Sequence, residues 1–270
     1  MKRYSIVFDN KCAVCSLGAR SFKRLGLMSD DQGIELDSFQ DNAIACNVDP
    51  NRACDEMAVI DLDTLEVTYG YDGWVDIISL KSNFLARLMK LDLVKTLLNP
   101  VYIFFASNRR ILAPLEVNAS TCEPKLKKGY RLALLMLLAL FAGFITYKKG
   151  EVLSTSELFG FLNGWKLISV TGAGWLFTGL LYQKANKWDY WGHLAVIAGT
   201  VILLQSFALV GYKLFPNLAW VIGSMIFSDL LMIWMHFKRV KMLGVSQKQT
   251  LIWWLILHFS AGVLLTIYYL

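Results

Sequence analysis

Two cysteines near the start of the chain have the spacing of a redox pair. Cys12 and Cys15 directly follow an apolar run that ends at Phe8 and Asp9. The run predicts a short buried strand, and the apolar and basic residues after Cys12 predict an amphipathic helix. A thiol at a helix N-terminus lies at the positive end of the helix dipole, which favours the thiolate. We therefore expect Cys12 to attack disulfides and Cys15 to resolve the mixed disulfide.

Two charged residues flank this pair, and each has two interpretations. Asp9 either forms an Asx turn at the strand end or acts as a carboxylate that assists proton transfer at Cys15. Lys11 either favours the thiolate by its charge or is an ordinary solvated loop lysine. The sequence alone leaves both alternatives open.

A structural zinc site is the main rival to redox chemistry. Such a site needs four ligands, and a zinc ribbon draws them from two tight cysteine pairs. Cys46 and Cys54 have seven residues between them, which is too wide for a second pair. We therefore predict no metal, and we expect Cys46, Cys54 and Cys122 each to be a small filler or an exposed free thiol.

The motif Phe8-Asp9-x-x-Cys12-x-x-Cys15 resembles the signature of the DCC-type thiol-disulfide oxidoreductases, a thioredoxin-like family. The likeness continues to about residue 113 and includes Tyr102 and the pair Asn108-Arg109. The resemblance implies a thioredoxin-like domain that exchanges disulfides. It also implies a redox-active disulfide between Cys12 and Cys15, with Asp9 as the third site residue.

Two positions depart from the family pattern. Asn10 stands where the family usually has glycine, and asparagine tolerates the left-handed backbone that such a turn would need. Thioredoxins carry a cis-proline just before their third strand, whereas this chain has Glu56 there and its nearest proline is Pro50.

The remaining elements of the first domain follow from hydrophobic periodicity. Residues 40–55 have no clear period. The predicted elements are a strand at 34–39, a hairpin at 57–60 and 65–69, a helix at 74–89, and a helix from Pro100 at its first turn to Leu112. The order β-α-β-loop-β-β-α-α fits a thioredoxin-like α/β domain.

The chain is too apolar for an ordinary soluble protein, since 56% of its 270 residues are hydrophobic. Apolar runs dominate the second half, whereas all five cysteines lie in the first. We predict a redox domain at 1–120, a basic linker at 121–129 and a transmembrane domain at 130–270. Lysines that flank membrane spans explain much of the net charge of +6. No basic-aromatic pattern suggests nucleic-acid binding.

The second domain contains about five predicted transmembrane helices in an all-α bundle. The predicted spans are 130–147, 165–182, 191–212, 217–237 and 251–270. No signal peptide precedes the first domain, so we expect it in the cytoplasm. That orientation places ten basic residues inside and three outside, namely Lys148, Lys149 and Lys213. The predicted location is the inner (cytoplasmic) membrane, with the C-terminus outside.

Polar residues within the predicted spans are costly in lipid. Asp229 and His258 fall at similar depth on neighbouring spans and could form a pair, whereas His193 and His236 are expected at the interface. Gly172-x-Gly174 predicts close helix packing. No cysteine follows Cys122, so electron exchange with the bilayer would need a quinone or a haem as cofactor.

These observations predict a membrane-anchored thiol-disulfide oxidoreductase of the protein-disulfide reductase type. Its partners would be the lipid bilayer and either a disulfide-containing protein or a small thiol. Two alternatives stay open: a non-catalytic redox sensor that controls a membrane transport or interaction module, and a structural zinc site.

Overall fold

The computed structural model describes residues 3–38, 42–113, 124–157, 159–181 and 187–243. The chain divides into two compact units, Met1–Arg131 and Leu132–Leu270. The first is an α/β sheet domain and the second is helical. The predicted fifth span, with His258, lies outside the described residues.

The sheet of the first unit has four strands in the order β2-β1-β3-β4. Strand β1 runs parallel to β2 and antiparallel to β3, and β4 runs antiparallel to β3. The strands are β1 (Tyr4–Phe8), β2 (Gly33–Glu35), β3 (Ala58–Asp61) and β4 (Val67–Tyr69). Strand β2 is shorter than the predicted 34–39, because the chain turns away after Leu36 donates its N–H to Phe8 O.

Helices cover both faces of this sheet. They are α1 (Ala13–Arg24), α2 (Pro50–Asp55), α3 (Gly70–Ser79), α4 (Asn83–Lys90) and α5 (Asp92–Leu112). On one face Ile6 packs with Phe22 of α1 and Ile77 of α3. On the other face Val7 packs with Ala53 of α2. Alternate residues of β1 therefore supply two cores, as the pleat of a strand requires.

Three helices differ from their predictions. The helix predicted at 74–89 is two helices, because the Ser82 hydroxyl accepts the N–H of Leu85 and caps a new helix. Helix α5 begins at Asp92, so Pro100 lies inside the helix and not in its first turn. Pro100 has no backbone N–H, so the helix lacks one of its i→i−4 hydrogen bonds at this position. Helix α2 was missed, although Asp49 caps it and Pro50 occupies its first turn.

The second unit contains four described helices. They are α6 (Lys128–Leu153), α7 (Gly164–Leu181), α8 (Lys187–Leu214) and α9 (Leu218–Met242). Among the described residues, α6, α8 and α9 are long and apolar enough to cross a membrane. Three predicted spans are therefore confirmed as membrane-capable helices, and the number five is not. Helix α7 forms where the second span was predicted but is not one of the three.

Close packing of α6 against α7 does not use the predicted glycines. A Cβ at Gly150 would lie 2.6 Å from Cα of Gly164, so these two glycines let the helix backbones approach. No described atom lies within 4 Å of a Cβ at Gly172 or Gly174. Close packing at the Gly172-x-Gly174 pair stays a prediction, because the predicted fifth span lies outside the described residues.

Candidate active site

The cysteine pair lies at the junction of β1 and α1, where sequence analysis placed it. Cys12 is the N-cap residue of α1, and the helix begins at Ala13. Asp9 closes the turn before it, since its Oδ1 accepts the N–H groups of Lys11 and Cys12 at 3.1 and 3.2 Å. The Asx turn is therefore present, and it fixes the backbone that carries Cys12.

The second carboxylate oxygen of Asp9, Oδ2, takes no part in the turn. The residue is only 5% exposed, and its buried Oδ2 has no hydrogen-bond partner among the described residues. Its negative charge acts on Cys15 and is one cause of a raised pKa there. The two interpretations of Asp9 are thus compatible, because Oδ1 holds the turn and Oδ2 has no hydrogen-bond partner among the described residues.

The two thiols, both free, differ strongly in acidity. A hydrogen bond from the Cys15 thiol is the largest cause that lowers the pKa of Cys12 to about 6. The N–H groups of Cys15 and Val14 and the charge of Arg109 also lower it, while burial opposes them. The pKa of Cys15 is raised, first because its proton is held in the bond to Cys12 and then because the thiol is partly removed from solvent. Cys12 is therefore the thiolate of the pair near neutral pH.

Accessibility favours the opposite cysteine. Cys12 has a relative exposure of 0%, whereas Cys15 is partly exposed. A nucleophile must touch the sulfur that it attacks, so a substrate can reach Cys12 only after local opening of the site. This burial was not predicted from the sequence.

Arg109 supplies the positive charge of the site. Its guanidinium is buried and donates to the carbonyl oxygens of Cys54 and Asp55, at the end of α2. From there its charge lowers the pKa of both thiols. The sequence marked Arg109 as part of the family likeness but not as a charge partner.

The charge of Lys11 is not among the causes that lower the pKa of Cys12. Its Nζ forms an ion pair with Asp37 Oδ2 at 2.5 Å, and Asp37 lies just after β2. The loop-lysine interpretation is the better one, because the ammonium is paired with a carboxylate.

The two departures from the family pattern lie in the loop before β3 and in the turn after β1. No cis peptide bond occurs among the described residues, and Met57 N instead donates to the Tyr102 hydroxyl at 3.2 Å. Burial raises the pKa of Tyr102 to about 12, so it stays a neutral phenol.

Asn10 does not adopt a positive φ, and its Nδ2 donates to Glu35 Oε2 at 2.8 Å. The left-handed turn expected at Asn10 is therefore absent.

The other cysteines divide into two kinds. Cys46 is an exposed free thiol, in line with one of its two predictions. Cys54 is disulfide-bonded, so its prediction as a filler or free thiol is wrong. Within the described ranges, no group of three or more His, Cys, Asp and Glu side chains could hold a metal ion.

The two described histidines of the helical unit are buried among other side chains. His193 and His236 are 6% and 4% exposed, and His193 Nδ1 lies 3.1 Å from Nη1 of Arg239. Their location at the membrane interface stays a prediction, because burial against other side chains does not fix a depth in the membrane. Asp229 lies on α9 beside a cavity, while its predicted partner His258 lies outside the described residues.

The geometry of the thiols predicts how they respond to substitution. We expect the alkylation rate of Cys12 to have its midpoint at about pH 6, because protonation of the thiolate slows the reaction below that pH. Cys15→Ala removes the main hydrogen bond and should move the midpoint toward the ordinary cysteine pKa of about 8.5. Initial rates of iodoacetamide alkylation across a pH series measure both midpoints.

Cys15→Ser is the matched control, because its hydroxyl can still donate to the Cys12 sulfur. Its midpoint should lie between those of the native chain and Cys15→Ala. A Cys12 midpoint that is the same in all three chains would show that Cys15 does not stabilise the thiolate.

Comparison with known proteins supports the chemistry of this site. Residues 6–113 match the family model of DCC1-like thiol-disulfide oxidoreductases. The resemblance seen in the sequence is therefore confirmed for the sheet domain, and the match ends before the first membrane-capable helix. No curated protein and no solved structure matches the chain.

Proposed function

We propose that the first unit is a thioredoxin-like disulfide reductase whose nucleophile is Cys12. The observation that carries this proposal is that two free thiols lie one helical turn apart, with Cys12 at the N-cap of α1. The pKa of Cys12 is lowered and that of Cys15 is raised, which supports Cys12 as the attacking thiolate. The sheet has the strand order β2-β1-β3-β4, and β3 runs antiparallel to the other three strands. This topology supports the thioredoxin-like assignment.

The reaction begins with attack by the Cys12 thiolate on a substrate disulfide. A bond forms between the Cys12 sulfur and one substrate sulfur, and the other leaves as a thiolate that takes up a proton. The mixed disulfide at Cys12 carries no charge, so the hydrogen bond that held the Cys15 proton is lost. The largest cause of the raised pKa of Cys15 disappears with it.

We assign Asp9 the role of base in the second half of the exchange. Its unpartnered Oδ2 accepts the proton of Cys15, and the Cys15 thiolate then attacks the Cys12 sulfur. The substrate sulfur that was bonded to Cys12 leaves as a thiolate and takes up a proton, and the Cys12–Cys15 disulfide forms. Two electrons have passed to the substrate, and an external dithiol or thiol reductant must restore the pair.

The burial of Cys12 favours small or flexible substrates. A folded protein surface cannot reach a sulfur that is 0% exposed, whereas a small disulfide or an extended segment can enter after slight opening. A redox sensor would use the same first step, and it would differ by showing no repeated turnover.

We propose that the helical unit anchors this reductase in the cytoplasmic membrane, with the thiols inside. The predicted inside segments carry ten basic residues and the predicted outside segments carry three, as the positive-inside rule requires. Lys149, one of the three basic residues predicted outside, is buried within α6. The disulfide at Cys54 favours the opposite orientation, because such bonds are rare in reducing compartments.

Turnover in membrane vesicles tests both activity and side. The full chain in inverted vesicles should reduce glutathione disulfide repeatedly when a reductant is supplied, because the cytoplasmic face is then exposed. Sealed right-side-out vesicles should show no activity until detergent opens them. A double Cys12→Ser, Cys15→Ser chain is the control for background.

The outcomes separate the proposals. Activity in right-side-out vesicles would overturn the orientation and leave the chemistry intact. A single round of oxidation without turnover, in opened vesicles as well, would overturn the reductase and favour a sensor.

A further inference from the structure

A cavity of about 530 Å³ lies within the helical unit and is bordered by all four described helices. This volume is within the range of small-molecule sites, roughly 300–1,000 Å³. The walls are mostly apolar side chains, and the rings of Trp175 and Trp191 form part of them. Such walls suit a ring or chain that is soluble in lipid.

A buried polar group lies in the same cavity. Lys149 on α6 donates to Gln205 Oε1 on α8 at 2.9 Å, and both residues are only 5% exposed. Asp229 on α9 also lines the cavity and is close enough for its charge to act on Lys149. Ionisable residues in a membrane unit are costly and commonly mark a ligand or ion site.

The charges of this polar group select among lipid-soluble ligands. Lys149 and Asp229 carry opposite charges and act on each other, so the cavity does not present cations alone to an anionic lipid. Lysine carries three N–H donors, and the bond to Gln205 uses one of them. The cavity therefore offers hydrogen-bond donors to a neutral acceptor.

We propose that this cavity binds a quinone. A ring carbonyl would accept a hydrogen bond from Lys149 or Gln205, while the ring and its tail would lie against the tryptophans and the apolar walls. The proposal concerns the helical unit alone and does not depend on the chemistry of Cys12.

Two glycines in the cavity wall permit a direct test. Gly143 on α6 and Gly172 on α7 both line it, and no described atom lies within 4 Å of a Cβ at either position. A leucine at either site would project into the cavity, and its bulk would occupy the space of the ligand. Gly129, on α6 outside the cavity lining, also has no described atom near its Cβ and gives a matched control.

The experiment is the binding of decylubiquinone to the full chain purified in detergent. Quinones quench tryptophan fluorescence, and two of the nine tryptophans line the cavity. We expect saturable quenching that Gly143→Leu and Gly172→Leu each weaken by at least about tenfold. Gly129→Leu should bind like the native chain, and Lys149→Met should bind more weakly because a donor is lost.

Decanoate serves as an anionic competitor with a tail of the same length. We expect it not to displace the quinone at matched concentrations. Quenching that does not saturate, or that is equal in Gly143→Leu and Gly129→Leu, would overturn the site. Equal displacement by decanoate would overturn the choice of a neutral ligand. Each variant is compared only if it elutes as a single species, and the two cavity-filling changes on different helices guard against a misfolded variant.

Discussion

Cys12→Ser is expected to lower disulfide turnover on the order of 1,000-fold or more, as the loss of a covalent nucleophile does. Serine keeps the size and position of the side chain at the N-cap of α1, so the fold should persist. Its hydroxyl stays protonated near neutral pH and cannot replace a thiolate whose pKa is about 6.

Cys15→Ser should fail at a later step. Cys12 can still attack, but no second thiol releases the substrate, so the mixed disulfide accumulates. Non-reducing electrophoresis or intact-mass measurement after mixing with a disulfide substrate would show the adduct in Cys15→Ser and none in Cys12→Ser. The reverse pattern would exchange the roles of the two cysteines, in keeping with their exposures.

The second large effect concerns Asp9. Asp9→Asn keeps an Oδ1 acceptor for the N–H groups of Lys11 and Cys12, so the turn before α1 should survive. It replaces the unpartnered Oδ2 with an amide that cannot accept the Cys15 proton. We expect the resolving step to slow by about 100-fold, the scale of a lost general base. Rapid-quench sampling of the mixed disulfide would measure this rate.

Asp9→Ala provides the comparison that separates catalysis from structure. It removes the turn acceptor as well as the base, so it should also cost about 1 kcal/mol of unfolding free energy. The alkylation rate of Cys12 should be nearly unchanged in Asp9→Asn. If Asp9→Asn resolves the mixed disulfide as fast as the native chain, Asp9 is a turn residue only.

The parts of the site that are local in sequence were predictable. The spacing of Cys12 and Cys15, the apolar strand before them and the helix after them lie within about twenty residues. Backbone geometry alone then places the thiols at a helix N-terminus. Asp9 was also found in this way, because strand ends and Asx turns have a clear local pattern.

The parts that depend on tertiary contacts were not predictable. Arg109 lies on α5 and acts on the thiols by its charge. No local sequence pattern links it to Cys12. The burial of Cys12 likewise depends on packing rather than on its neighbours in the sequence. Ser82 breaks a helix that hydrophobic periodicity had continued, because a capping hydroxyl outweighed the apolar pattern.

The helical unit shows the same division. Hydrophobicity predicted α6, α8 and α9, because a membrane-capable helix is defined by length and composition. The contact of Lys149 with Gln205 was not predictable, since the two residues are 56 positions apart and Lys149 follows the predicted span 130–147.

The most direct test of the account is to locate the substrate on the trapped enzyme. The full-length Cys15→Ser chain would be mixed with glutathione disulfide at neutral pH, and its peptides would be mapped by mass spectrometry without reduction. The account predicts glutathione on Cys12, formed faster than on Cys46, although Cys46 is exposed and Cys12 is buried. Modification of Cys46 with Cys12 unmodified would contradict the assignment of Cys12 as the activated nucleophile.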